Sequence, residues 1–204
     1  MYFLWESGII KLNLASRFSE FLGSITRGAL DGTLSTLGIV IGAYDAPSSI
    51  IIAAGLSGGM ANGLSNIFAA VSAEKSEMLK DLRDIKDAML REDLENTLLH
   101  RMADKKVKKK GVMDGIATVL GAVIPVIPYF FLPSDIAVYF AIGFTSLLAF
   151  ILGSISAKVS GRNILILGIK MAFFAIVVAI VCTLVQRGIR SSFVLIKPAL
   201  GLCI

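Results

Sequence analysis

The sequence predicts an all-α integral membrane protein with five transmembrane helices, built as a parallel repeat of two helical hairpins plus a fifth helix, with a cytoplasmic helical segment between helices two and three. Three observations lead there. Hydrophobic residues fill 55% of the 204 positions and mean hydropathy is +0.79, more apolar surface than a soluble domain of this size can bury. Apolar runs at 28–44, 46–73, 115–134, 136–157 and 163–186 each come near or exceed the ~20 residues that cross a bilayer. Sliding the chain by 83 residues also matches it to itself: Arg27-Gly28 meets Lys110-Gly111, Asp31-Gly32 meets Asp114-Gly115, and Leu37-Gly38 meets Leu120-Gly121.

Residues 1–26 read as an amphipathic interfacial helix, with Ile10, Leu14, Phe18, Phe21, Leu22 and Ile25 at helical spacing and Lys11, Arg17 and Glu20 off that stripe. A helix docked on its own protein fits the same pattern. The start, MYFLWES, has no basic residue leading into an apolar core and a small-residue cleavage site, so insertion is expected to use the first span itself.

The first transmembrane hairpin covers 27–73 and the second 111–158, turning tightly at Tyr44 to Pro47 and at Pro133 to Asp135; the fifth helix covers 159–187 and a tail 188–204. Lys11, Arg17 and Arg27 precede the first span, many basic residues fill 75–110, and Lys158 and Arg162 separate spans four and five. Short cytoplasmic loops concentrate such residues, which puts the amino terminus in the cytoplasm and, by parity, the carboxyl terminus outside. Arg187, Arg190 and Lys197 oppose the second assignment, and a re-entrant or tail-anchored fifth helix would account for them.

The net charge of +5 is explained by these flanks, so no nucleic-acid partner is expected. Cys182 and Cys203 form no disulfide or metal-knot pattern. No HExxH or GxSxG motif occurs and His100 is the one histidine, which argues against an enzyme. No cofactor is expected.

Asp31, within the first span, is the residue that most demands a reason, since a carboxylate at the bilayer centre costs roughly 2.5 to 3.5 kcal/mol on insertion scales. Ser35 and Gly38 share its face, a plausible cation path. The competing reading places Asp31 and its repeat-related counterpart Asp114 in the first turns of their helices, stabilised by the helix dipole. Gly55, Gly59 and Gly63 form a packing stripe on the second span, through which two copies would dimerise. Beside it Asn62 and Asn66 offer amide oxygens for a hydrated divalent ion, or hydrogen bonds between helices.

The cytoplasmic segment 74–110 carries Glu77, Asp81 and Asp84 along one side of a helix, carboxylates that can collect hard or borderline divalent ions. Interleaved Lys80, Arg83, Lys86 and Arg91 also suit an ordinary solvated helix. His100 and Met102 could add softer ligands, and Lys105, Lys106 and Lys108 to Lys110 form a basic collar. Pro125 and Pro128 are expected to kink the third span near its outer end, and Lys170 to snorkel to the interface.

The run Asp31-Gly32-Thr33-Leu34-Ser35-Thr36-Leu37-Gly38, the glycine-rich second span, the charged cytoplasmic helix and Leu120-Gly121-x-x-x-Pro125-x-x-Pro128-Tyr129 together resemble the vacuolar iron transporter family over about residues 22–187. The resemblance implies proton-coupled export of Fe2+, sometimes Mn2+, from the cytoplasm by a homodimer whose pathway lies at the subunit interface, with Asp31 matching the family's first-helix aspartate. The family's second helix commonly carries a glutamate and, eight residues on, a methionine; here Gly58 and Asn66 stand there. The metal-binding glutamates of the family's longer cytosolic segment match this chain only loosely, around Glu77 to Asp87. An exporter of another small solute, or a non-transporting membrane scaffold, remains open on the residues alone. The membrane is a cell membrane in a prokaryote, or a vacuolar or storage-organelle membrane in a eukaryote.

Overall fold

The structure is a computed structural model that describes the backbone of residues 2–89 and 98–199 and the side chains within 21–81, 83–84 and 107–192. The described residues form five α-helices, α1 (Tyr2–Gly42), α2 (Ser48–Met89), α3 (Leu98–Val123), α4 (Ser134–Val159) and α5 (Ile164–Ala199), with a 3-10 helix at Ile127–Phe130 before α4. Among them the stretches Ser48–Asp81, Ser134–Val159 and Ile164–Ser192 are long and apolar enough to cross a membrane.

The expected divisions after residues 26, 73, 110 and 187 are not helix ends. Instead α1, α2, α3 and α5 each run straight through one of them. The charged stretches are rich in Leu, Lys, Glu, Arg and Met, all strong helix formers, so a lipid boundary changes the residue types without interrupting the backbone. One consequence corrects a sequence reading. Asp31 stands deep inside α1 and Asp114 in the second half of α3, beyond the first-turn N–H groups on which dipole stabilisation depends. Helix capping therefore explains neither acid.

The chain divides into two compact units, one of Met1–Gly32 and Met60–Gly121, the other of Thr33–Gly59 and Ala122–Ile204. In the first unit, α1 and α3 meet backbone to backbone. A Cβ at Gly32 would lie 2.7 Å from the Thr118 carbonyl carbon, and one at Gly28 3.0 Å from that of Asp114. On the other side of α3, a Cβ at Gly111 would lie 3.2 Å from the Val71 nitrogen and 3.3 Å from the Ile67 carbonyl oxygen of α2. Glycines spaced by four let helices approach this closely, and here they occur as Gly28/Gly32 and Gly111/Gly115.

In the second unit, Leu37, Val40, Ile51, Val126 and Ala137 are wholly buried in one cluster. The third helix stops at Val123 rather than kinking: Pro125 and Pro128 are both fully buried beyond its end, the first lacking the N–H that another helical turn needs. The Val126 amide instead closes a turn onto the Val123 carbonyl at 3.0 Å. At the far end of α4 the Arg162 amide donates back to the Ala157 carbonyl at 2.9 Å, across Gly161 at φ 64°, the left-handed stop that glycine adopts freely. The next helix packs against α4 where Gly153 comes within Cβ reach of Leu167 and Met171.

Tyr44 donates to Asp135 at 3.1 Å, the Ser48 and Ser134 hydroxyls bond at 3.0 Å, and Arg190 of α5 donates to Asp45 at 3.0 Å. This last bond carries the basic end of α5 to the same end of the unit as the 43–47 connection. Arg190 thus has a carboxylate partner where the charge rule foresaw none; Lys197 and Cys203 lie outside the described side chains.

The glycine stripe is filled by the chain itself. In the second unit a Cβ at Gly55 would lie 2.8 Å from Val126, and Gly59 sits against Ala122 and Thr36; in the first, Gly63 sits against Val119 and the Gly115 carbonyl. A second copy has no access to these glycines, so they cannot form the dimer contact expected of them.

Candidate functional site

The first unit brings together residues from three helices. Asp31 projects from α1, Asn62 and Asn66 from one face of α2, and Asp114 and Thr118 from successive turns of α3. The Asn62 and Asn66 side-chain amides both donate to Asp31 Oδ2, at 2.9 and 2.7 Å. Asn66 Nδ2 also donates to Thr118 Oγ1 at 3.0 Å, and that hydroxyl donates to the Asp114 carbonyl at 2.9 Å. Each donor thus faces an acceptor, which leaves the Asp31 Oδ1 atom without a bond among the described residues.

Arg27, one turn before Asp31, closes a two-pronged contact on Asp114: Nε to Oδ1 at 3.2 Å and Nη2 to Oδ2 at 3.1 Å. Such a fork is stronger and more directional than a single bond. The Asp114 side chain is 4% exposed and that of Arg27 64%, so the acid is sunk into the unit while the guanidinium reaches the surface.

A cavity of about 370 Å³ opens beside these groups, lined by Arg27, Asp31, Asn66, Ala69, Ala70, Ala73 and Asp114. Ala69, Ala70 and Ala73 continue the Asn66 face of α2, and their short side chains leave the space that larger residues would fill. Continuing the same helix, Glu77, Asp81 and Asp84 stay within about 60° of the Asn66 direction at 3.6 residues per turn. All three are exposed. Among the described residues no three acids, histidines or cysteines converge on a point that could hold a metal ion. Glu74, at the start of this charged stretch, pairs with Lys110 of α3, and Lys109 lies 5.0 Å over the Phe21 ring.

The sequence therefore points to Asp31, Asn62 and Asn66, which the structure joins directly. Ser35 is half-buried on α1 within the second unit and has an interaction of its own. Gly58 packs against the end of the Ile39 side chain. Arg27 and Thr118 are additions from the structure. Their signal in the sequence was positional: Arg27 is four residues before Asp31, and Thr118 four after Asp114. Asp87, His100 and Met102 lie outside the described side chains.

Residues 66–187 match the family model described as the VIT family. A protein of Methanocaldococcus jannaschii, itself described as uncharacterized, is 42% identical over 167 residues, a match covering 80% of this chain and 87% of that protein.

Proposed function

The chain belongs to the VIT family, the vacuolar iron transporters, and we propose that it exports a divalent metal ion, Fe2+ or Mn2+, from the cytoplasm as a proton-coupled homodimer. Membership supports reading it as an integral membrane protein of a transporter family. The five-span reading treats α1 and α3 as further crossings, their apolar halves beside the three stretches that satisfy length and hydropathy. The amino terminus is placed in the cytoplasm by the basic residues that flank the spans.

One observation supports transport above the rest: a carboxylate on a lipid-compatible helix opens into a cavity and is oriented by two amides instead of being neutralised by a cation. An acid in a span without such a use is a liability. Asp31 Oδ1 would meet the ion at the cytoplasmic mouth. Glu77, Asp81 and Asp84 would raise its local concentration on the approach. Asp31 is an exposed side chain in the single chain. A second copy covering this face would shield it from lipid and wall the route, which assigns the dimer contact to this face rather than to the glycine stripe.

Purified protein in liposomes tests the reading through Fe2+ and Mn2+ uptake under an imposed proton gradient. Flux that disappears with Asp31→Ala supports it. Absence of flux for both ions, or flux indifferent to that substitution, removes it.

A further inference from the structure

Asn66 is held so that it cannot offer its oxygen where its nitrogen now points. Its Nδ2 lies between two acceptors, Asp31 Oδ2 at 2.7 Å and Thr118 Oγ1 at 3.0 Å. The Thr118 hydroxyl has one proton, and that proton is committed to the Asp114 carbonyl at 2.9 Å. Toward Asn66 it can only accept. Turning the amide over would set its carbonyl oxygen against a carboxylate oxygen and a hydroxyl lone pair at once, an arrangement with no proton to share. Thr118 is fully buried, so water cannot supply one, and Gly32 packed on the Thr118 backbone fixes where the hydroxyl stands.

We propose that Thr118 is a positioning residue that locks the Asn66 amide as a donor to Asp31, so that the ion meets Asp31 through one oxygen and water, with the Asn66 carbonyl withheld from it. This deepens the transport reading and rests on it. It also revises the role expected of Asn66 as an oxygen ligand. A site with a single fixed carboxylate oxygen and no thioether suits a hard divalent cation that keeps part of its hydration shell, such as Mn2+. Weak retention lets such an ion leave as readily as it enters.

Mn2+ flux in proteoliposomes, with KM and kcat separated, provides the test, comparing wild type with Thr118→Val and Thr118→Ser. Valine keeps the volume and removes one of the two acceptors that fix the amide, so that only Asp31 still opposes its turning and an ion bound to Asp31 can draw the Asn66 oxygen to itself. The expected result is a KM for Mn2+ lower by about tenfold with a fall in kcat, the size outer-shell partners commonly impose on metal affinity. Serine retains the hydroxyl and should restore wild-type values. An unchanged or raised KM in the valine variant, or a serine variant that behaves like it, overturns the inference while leaving transport standing. Wild-type protein that moves Fe2+ but neither moves nor binds Mn2+ overturns the inference alone, and absence of flux for both ions overturns the transport reading with it. Should the valine variant fail to reach the bilayer, Mn2+ titration of Thr118→Ala in detergent by electron paramagnetic resonance reads the same tightening without flux.

Discussion

Arg27 closes both arms of its guanidinium on Asp114, while Asp31, one turn further along the same helix, is held by amides and bonded to no basic side chain among the described residues. The two acids occupy equivalent places in the 83-residue offset, each followed by a glycine that packs against a neighbouring helix. Their partners set them apart. Asp114 is buried and paired with Arg27, and Asp31 is exposed and held by amides.

Removing the guanidinium should therefore harm stability before it harms chemistry. Arg27→Ala leaves a carboxylate that is 4% exposed without its cation, and breaking a buried pair from one side costs about 3 kcal/mol or more when both partners are sunk. Because Arg27 reaches solvent, the expected loss is smaller, about 1 to 3 kcal/mol. Thermal melting in detergent should show it, and Arg27→Ala/Asp114→Ala should recover part of the loss.

The converse change acts on the ion. In Asp114→Asn the arginine loses its anchor, and its nearest remaining carboxylate along α1 is Asp31, at the four-residue spacing where side chains meet. Arg27 would then pair with the acid proposed to meet the metal. Mn2+ flux should fall about tenfold or more, since neutralising a carboxylate partner removes most of its attraction for a cation. Asp114→Asn/Arg27→Gln, with no arginine to swing, should regain flux.

The close helix approach gives an experiment with its own control. At Gly32 a Cβ would enter the Thr118 backbone, which cannot move aside as a side chain can, whereas at Gly23 nothing lies within 4 Å. Gly32→Ala should destabilise by about 2 kcal/mol or more through overpacking. Gly23→Ala, in the same helix, should stabilise by roughly 0.5 to 1 kcal/mol through backbone entropy. Equal melting temperatures for the two variants would contradict the packing described.

Much of this arrangement was legible in residue order, and what was not has a physical cause. Hydropathy and turn residues put the connections at Tyr44 to Pro47 and at Pro133 to Asp135, beside the observed 43–47 and 131–133, and the cost of a carboxylate among apolar residues singles out Asp31. Spacing along one helix, however, says which residues share a face and nothing of what faces them. That Asn62 and Asn66 would turn their nitrogens to Asp31, or that Arg27 would reach Asp114 from another helix, depends on a glycine contact between backbones that no one-helix pattern records. The glycine stripe announced close helix packing, which the structure shows, but small residues do not say whether the neighbour belongs to the same chain. Helix ends were missed because composition tracks the lipid boundary while the backbone follows propensity.

In the second unit Tyr44 donates to Asp135, and this bond, with the nearby carboxylate charge, raises the tyrosine above its ordinary value of 10.0. A raised value means the contact adds stability wherever the phenol is protonated in both folded and unfolded chains. That contribution is complete below about pH 10 and is lost as pH rises through the higher folded value. Ultraviolet titration should find a late-ionising tyrosine in the wild type that moves back toward 10.0 in Asp135→Asn. Tyr44→Phe should remove the same late component.

The three acids on the exposed extension of α2 separate two roles that static geometry leaves alike, gathering an ion and binding it. Glu77, Asp81 and Asp84 are all exposed and interleaved with Lys80 and Arg83. They sit about 6 to 17 Å along the helix from Ala73, the last residue of α2 that lines the cavity, at 1.5 Å per residue. If they act only through their field, Glu77→Gln/Asp81→Asn/Asp84→Asn should raise KM for Mn2+ about threefold to tenfold at low ionic strength and leave kcat unchanged. The field is screened over about 3 Å at 1 M salt and about 30 Å at 0.01 M, so the difference between variant and wild type should vanish as salt is added. A KM difference that survives high salt would mean direct ligation, and with it a cytoplasmic site in which these carboxylates hold the metal before Asp31 does.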